Sequence, residues 1–217
     1  MSSYYLKKVA YLTFDDGPVK NTSRILRLLK HNGVKATFFV NGNETKFGRL
    51  MYRRIIQQGH AIGNHTYTHN HHIIYSSKAA FLKDFNRMEL ALKRIIGKTP
   101  MIYRFPYGSD NWILSSPGGR RLRKKIITAL SRRGYQFFDW NIDSGDSYPT
   151  KPKPLTSKEI MNKVISECTG KSRVIILFHD FSENSIKALP FIIRKLRKRN
   201  FVFKCLSKNS FNYQFKL

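Results

Sequence analysis

Only eight aspartates occur in this chain, yet Asp15 and Asp16 stand side by side directly after an apolar run. Two adjacent carboxylates repel unless a cation lies between or beside them, so the pair asks for a metal. Asp-Asp-Gly-Pro is also sound turn chemistry, which is the plainer reading of an isolated pair. His65 and His69 are four residues apart, a spacing that lets two imidazoles face one ion from a single helical turn or tight loop. His71 and His72 follow at once, so histidine is locally enriched and the spacing alone does not define a ligand set. Asp16 would complete two imidazoles and one carboxylate with positions left open, an arrangement shared by zinc hydrolases and non-haem iron oxygenases.

Three more polar clusters follow apolar runs. Arg104 sits in Arg-Phe-Pro-Tyr-Gly, where a guanidinium can hold a carboxylate by paired hydrogen bonds and lower its pKa, although arginines are plentiful here. Asp143 and Asp146 lie in Asp-Ser-Gly-Asp-Ser, and His179 with Asp180 in Ile-Leu-Phe-His-Asp. Asp180 also suits a helix cap. A lone histidine at a strand end is usually structural. Five polar clusters at the same end of successive strands are not usually coincidence.

These clusters have to be positioned by an alternation of β-rich runs and helical patterns, unbroken by repeats or low-complexity linkers. Strands are expected at Val9 to Phe14, Lys35 to Val40, Ala61 to Gly63, Met101 to Phe105, Tyr135 to Trp140, Val174 to Phe178 and Phe201 to Phe203. Helices are expected at Thr22 to Asn32, Phe47 to Gln58, Ser77 to Ile96, Arg120 to Arg133, Ser157 to Cys168 and Ile186 to Arg199, with glycines 33, 59 and 97 at helix ends. Lys151 to Pro154 reads as a loop. Alternating βα units imply a parallel sheet, either open and doubly wound or closed as a barrel, and seven of them favour barrel-like closure in one domain spanning 1–217. In such barrels the working residues come from loops at the carboxyl ends of strands.

At 217 residues, 41% hydrophobic and 24% charged, the chain reads as an ordinary globular domain, and neither disorder nor a small disulfide-stapled scaffold is needed to explain it. Its apolar runs are too short for a membrane span. Forty bases against 13 acids leave a formal charge of +27, so polyanions are natural partners: nucleic acid, anionic cell-wall polymers or anionic lipid surfaces. The basic runs Arg120 to Lys125 and Arg194 to Arg199 read first as solvated helix faces. No zinc-finger, RNP or GxxxxGK pattern supports a nucleic-acid module. Cys168 and Cys205 have no ligand spacing and read as buried thiols. Met1 to Phe14 shows no signal-peptide pattern, so the chain reads as cytoplasmic or trimmed.

Taken in order, Thr13-Phe14-Asp15-Asp16-Gly17-Pro18, His65-Thr66-Tyr67-Thr68-His69, Arg104-Phe105-Pro106-Tyr107-Gly108, Asp143 to Asp146 and Leu177-Phe178-His179 resemble the five motifs of NodB-type polysaccharide deacetylases, carbohydrate esterase family 4. The match spans about residues 8 to 205. The resemblance implies an α/β fold, a distorted (β/α)7 barrel, and one divalent metal, zinc first, with cobalt or another divalent ion possible. It makes Asp16, His65 and His69 the metal ligands, Asp15 the general base and His179 the general acid. Arg104 would orient Asp15, Asp146 would pair with His179, Leu177 would line the acetyl pocket, and the Tyr107 backbone N–H would help hold the oxyanion. The implied reaction is removal of N-acetyl groups from N-acetylglucosamine in a polymer, peptidoglycan foremost, with chitin oligosaccharides or O-acetylated sugars behind it. A cell-envelope or extracellular location and a monomer go with that reading. An iron oxygenase would leave Asp15 and His179 unexplained, and a glycan-binding relative without activity would not need every catalytic side chain. One departure concerns the groove: the family often has tryptophan after the fourth-motif aspartate, where this chain has Ser147.

Overall fold

The computed structural model describes residues 8–147 and 153–216. Residues 151 and 152 of the expected loop, and the first seven residues, lie outside them. In chain order the elements are β1 (Lys8–Gly17), α1 (Thr22–His31), β2 (Thr37–Val40), α2 (Lys46–Gln57), β3 (Ala61–Asn64), α3 (His71–Ile74), α4 (Lys78–Ile96), β4 (Ile102–Tyr103), α5 (Pro117–Arg132), β5 (Gln136–Phe137), β6 (Ile142–Asp143), α6 (Ser157–Glu167), β7 (Arg173–His179), α7 (Glu183–Lys198) and β8 (Phe201–Phe203). Helix starts follow side-chain chemistry: Thr45, Ser77, Ser116, Thr156 and Ser182 each accept a backbone N–H from the first turn, and Thr156 with Glu159 forms a reciprocal capping box.

All strand pairs are parallel, in the order β5-β4-β3-β2-β1-β7-β6, with β8 added beside the amino-terminal half of β1. The expected distorted α/β barrel is borne out as a half-barrel sheet. Its end strands β5 and β6 are unpaired with each other among the described residues. Two elements were not expected. β6 is only two residues long, too short to show alternation, and α3 is a single turn capped by Asn70. The strand expected at Tyr135 to Trp140 contracts to Gln136–Phe137, because the following segment turns to serve the active site rather than the sheet.

Alternation along the central strands sorts side chains into two layers. From β1 and β7, Ala10, Leu12, Phe14, Val174, Ile176 and Phe178 face the helices in the main core. Tyr11 and Ile175 point the other way, into an interior layer with Phe39, Ile102, Phe138 and Leu206. The same parity carries Thr13, Asp15, Leu177 and His179 above that layer, and Asp15 pairs in register with His179. An apolar floor therefore lies beneath polar groups at the carboxyl end of the sheet. A second, largely aromatic core (Phe81, Phe85, Tyr103, Phe105, Phe137) seats α4 and α5. No helix among the described residues is long and apolar enough to cross a membrane. Cys168 is buried and Cys205 half-buried, and both are free thiols.

At the opposite end of the sheet, His60 is buried and its Nδ1 accepts the Ala36 N–H at 3.1 Å. Burial, with Lys35 nearby, lowers its pKa to about 4. The unfolded chain then binds a proton near pH 6.5 that the folded chain refuses until about pH 4, so this contribution to stability is full above 6.5 and is lost as pH falls towards 4. The urea midpoint should fall more steeply over that window in the wild type than in His60→Gln. Parallel curves would assign acid destabilisation to other groups.

Candidate active site

The two adjacent aspartates reach one site because β1 is irregular at its end. Asp15 pairs with Phe39 and Gly17 with Val40, so Asp16 is skipped in the register and bulges with φ of 71°. Without the bulge, neighbouring strand residues would point to opposite faces. His65 follows β3 directly, and the loop to His69 is fixed by Asp84 of α4, whose carboxylate accepts the Tyr67 and Thr68 N–H groups at 2.6 and 3.0 Å. Thr66, His69 and Tyr107 also have positive φ, at 68°, 55° and 64°, a concentration of strained non-glycine backbone around one site.

His65 Nδ1 lies 2.9 Å from the Arg104 carbonyl. That carbonyl can only accept, so the proton sits on Nδ1 and the Nε2 lone pair is free. His65 Nε2 is 3.5 Å and His69 Nε2 3.2 Å from Asp16 Oδ1, an oxygen that is buried without a hydrogen-bond partner. The three ligand atoms lie within 4.8 Å of one another. Burial holds the His65 pKa well below the usual range and lowers that of His69, which keeps both imidazoles neutral. An orphaned carboxylate oxygen facing two neutral imidazole nitrogens fits a divalent cation.

Asp15 is 3% exposed, with Oδ1 accepting from Arg104 Nη1 at 2.9 Å and Oδ2 3.7 Å from His65 Nε2. Burial raises its pKa to about 6 against the lowering pull of Arg104 and His179. Arg104 is wholly buried. It also donates to Thr13 Oγ1, the Phe138 carbonyl and the Asp139 carbonyl at 2.8, 2.9 and 3.1 Å, and its guanidinium lies over the Phe39 ring at 4.2 Å. With every direction occupied, it fixes one Asp15 oxygen and leaves the other towards the metal cluster. Across that cluster, His179 Nδ1 is 2.7 Å from Asp146 Oδ1, and Asp146 Oδ2 accepts the His179 N–H and the Ser185 hydroxyl at 3.0 and 2.5 Å. Burial alone would lower the His179 pKa. The bond and charge of Asp146, joined by Asp15 and Asp16, raise it instead to about 9, so the ring is protonated at neutral pH.

Asp15, Asp16, His65, His69, Arg104, Tyr107, Asp146, Leu177 and His179 thus gather at one end of the sheet. The Tyr107 ring packs on His69 with centroids 4.7 Å apart, and Leu177 lies buried on the interior face of β7. Asp143 is not among them: its Oδ1 accepts the Gly145 N–H at 2.8 Å, forming the turn that delivers Asp146. Asp180 does not cap α7, a task Ser182 performs. Its carboxyl is buried, takes a short hydrogen bond from Thr22 Oγ1, and has a pKa raised to about 7 by burial.

Four participants escaped the sequence reading. Asp84 holds the histidine loop from mid-helix. Asp139, buried beside Arg104, accepts from the Ser109 N–H and hydroxyl and from the Phe215 N–H at 3.0, 2.6 and 2.9 Å, tying the carboxyl-terminal segment to the site. Its rarity as one of eight aspartates was the available signal. Trp112, 61% exposed, stands edge-on to Tyr107 and His71 with centroids at 5.2 and 5.4 Å. Phe181, 47% exposed, stacks on His179 at 5.1 Å. Exposed aromatic faces therefore flank the site on both sides.

A family model described as polysaccharide deacetylase matches residues 4–137. A peptidoglycan-N-acetylglucosamine deacetylase of Bacillus cereus is 34% identical over 206 residues, 94% of this chain and 71% of that protein. A chitin deacetylase of Colletotrichum lindemuthianum is 35% identical over 184 residues, 82% of this chain and 69% of that protein. The catalytic domain of a peptidoglycan N-acetylglucosamine deacetylase from Eubacterium rectale superposes with a TM-score of 0.87 at 31% identity, covering 97% of this chain and 93% of that one. The motif order, the half-barrel and these matches agree: the chain belongs to the polysaccharide deacetylase family, the NodB-type domain of carbohydrate esterase family 4.

Proposed function

We propose that residues 1–217 act as one catalytic unit, monomeric and at the cell envelope, that hydrolyses N-acetyl groups of N-acetylglucosamine residues in peptidoglycan. Chitin oligosaccharides and O-acetylated polysaccharides are the next substrates in order. The observation that carries this reading is the placement of a pinned carboxylate, Asp15, and a protonated imidazole, His179, on neighbouring strand ends beside the Asp16, His65 and His69 cluster. Zinc suits a borderline set of two imidazoles and one carboxylate, with cobalt or another divalent ion as alternatives. Bound there, the ion would supply Lewis acidity to a carbonyl oxygen and to water.

The chain's own residues do the proton work. Asp15 takes a proton from the attacking water through its free oxygen while Arg104 holds the other. The Tyr107 N–H has no acceptor among the described residues and is available to the carbonyl oxygen as charge develops on it. Leu177 closes the space against the acetyl methyl. His179, held at Nδ1 by Asp146, donates its Nε2 proton to the departing amine, a poor leaving group without one.

Metal analysis with acetate release from peptidoglycan, chitin oligomers and acetylated xylan tests the reading. One divalent ion per chain and fastest release from peptidoglycan are expected. Release from xylan alone would assign an O-acetyl substrate, and no release from any of them would refute the reading. Trp112, exposed beside Tyr107, offers a sugar-stacking face of a kind Ser147 does not. Trp112→Ala should raise KM about fivefold for a tetrasaccharide, the loss of roughly 1 kcal/mol of ring packing, with kcat little changed and Trp112→Phe largely restoring it. An unchanged KM would place the sugar chain elsewhere.

A further inference from the structure

The charge of +27 is not spread evenly in its consequences. Most described acids are already committed: Glu44 pairs with Arg94, Glu89 with Arg133, Glu167 with Lys163 and Glu183 with Arg24, while Asp15, Asp16, Asp146 and Asp180 gather at the catalytic end. One groove of about 370 Å³ is lined by Lys78, Arg121, Lys124, Lys125 and Arg132 with Thr128 and Ala129, and by no acid. All five cations are exposed, and none forms an ion pair among the described residues. Arg121, Lys125, Thr128 and Arg132 recur at helical spacing, so α5 turns one continuous basic stripe outward. Arg123 of the same run turns inward to the Ser109 hydroxyl and the Phe215 carbonyl, at 3.0 and 2.9 Å.

The placement of the groove is informative. α4 and α5 both begin beyond the carboxyl ends of strands, the end that carries the active site, and Lys78 is the first residue of α4. From there the basic stripe runs along α5 to Arg132, about 16 Å from Arg121 at the rise of an α-helix. Charge strung over that length, in an open groove without a buried polar anchor, suits an extended polyanion rather than a single small anion. Arg and Lys together suit phosphate, by fork geometry and point charge respectively. The lining has no aromatic face on which bases could stack, and no element projects from it to enter a duplex groove.

We infer that the α4–α5 groove is a docking site for a flexible polyol-phosphate polymer of an anionic cell wall, which holds the enzyme on its substrate matrix with the active site facing the glycan. This rests on the wall-polysaccharide reading above, but its test does not depend on turnover.

Binding of fluorescent poly(glycerol phosphate) would be measured against salt for the wild type, for a groove variant (Arg121→Glu, Lys124→Glu, Lys125→Glu) and for a charge-matched variant on α7 (Arg194→Glu, Lys195→Glu, Lys198→Glu). Circular dichroism and acetate release from a neutral chitin oligomer report folding and catalysis. The groove variant should bind at least tenfold more weakly at low salt. Its slope of log K against log salt should be shallower by about two, the loss of three phosphate contacts at ~0.7 each. The α7 variant should change less than threefold, and both should retain turnover of the neutral oligomer. Equal losses in the two variants would reduce the effect to net charge and overturn the site, as would unchanged binding in the groove variant. Tighter, groove-dependent binding of duplex DNA than of the polyol phosphate would overturn the assigned partner. Absent turnover with groove-specific binding intact would refute the deacetylase reading alone.

Discussion

His65→Ala should strip the divalent ion from the protein and remove turnover with it. His65 is 2% exposed, its Nδ1 is committed to the Arg104 carbonyl, and its Nε2 faces Asp16 Oδ1. On the proposed assignment, alanine therefore deletes one of the three ligand atoms gathered there. Loss of an outer-shell partner alone typically lowers metal affinity ~10- to 100-fold, so loss of a direct ligand should exceed ~10²-fold. His72→Ala is the control, since His72 is exposed and outside the ligand cluster, and it should bind metal normally. Calorimetric metal titration of the two variants separates a built site from local histidine enrichment. Normal metal affinity and turnover in His65→Ala would overturn the ligand assignment.

Asp15→Asn and His179→Ala should each lower kcat on an N-acetyl sugar by roughly 10²- to 10⁴-fold, the range for a positioned base or acid. Both variants should still bind the metal. They should part company on an activated ester such as 4-nitrophenyl acetate, whose leaving group departs without a proton. There His179→Ala should recover most of its rate, while Asp15→Asn stays impaired because water must still be deprotonated. Recovery of both on the ester, or of neither, would mean that the base and acid are not divided between these residues. The separation has a structural basis. Arg104 fills one side of Asp15, and Asp146 fills the Nδ1 side of His179, so each group has one free functional atom.

Local pattern settled the alternation of strands and helices and the clusters at strand ends that supply the metal-site, base and acid candidates, whereas Asp84, Asp139, Trp112 and Phe181 carried no such pattern, and the cap of α7 fell to Ser182 rather than Asp180. The alternation and the strand-end clusters are local properties. Period-two and helical patterns, serine and threonine at helix starts, and polar residues just past apolar runs act over a few residues, so they are legible without knowing what packs against what. Very short elements carry too little pattern to be seen, and Ile142–Asp143 became a strand only because β7 supplies its partner. The inward turn of Asp16 was decided by the register slip of β1 against β2, the tautomer of His65 by a carbonyl 39 residues away, and the orientation of Arg104 by Thr13 of β1 and by Phe138 and Asp139 after β5, two segments remote in the chain. Net charge was readable as a sum, but the grouping of five cations, unpaired among the described residues, around one acid-free groove depended on which elements packing brought together and which acids folding drew into ion pairs elsewhere. Distances between residues remote in the chain are set by packing and pairing across the whole sheet, and no local pattern encodes them.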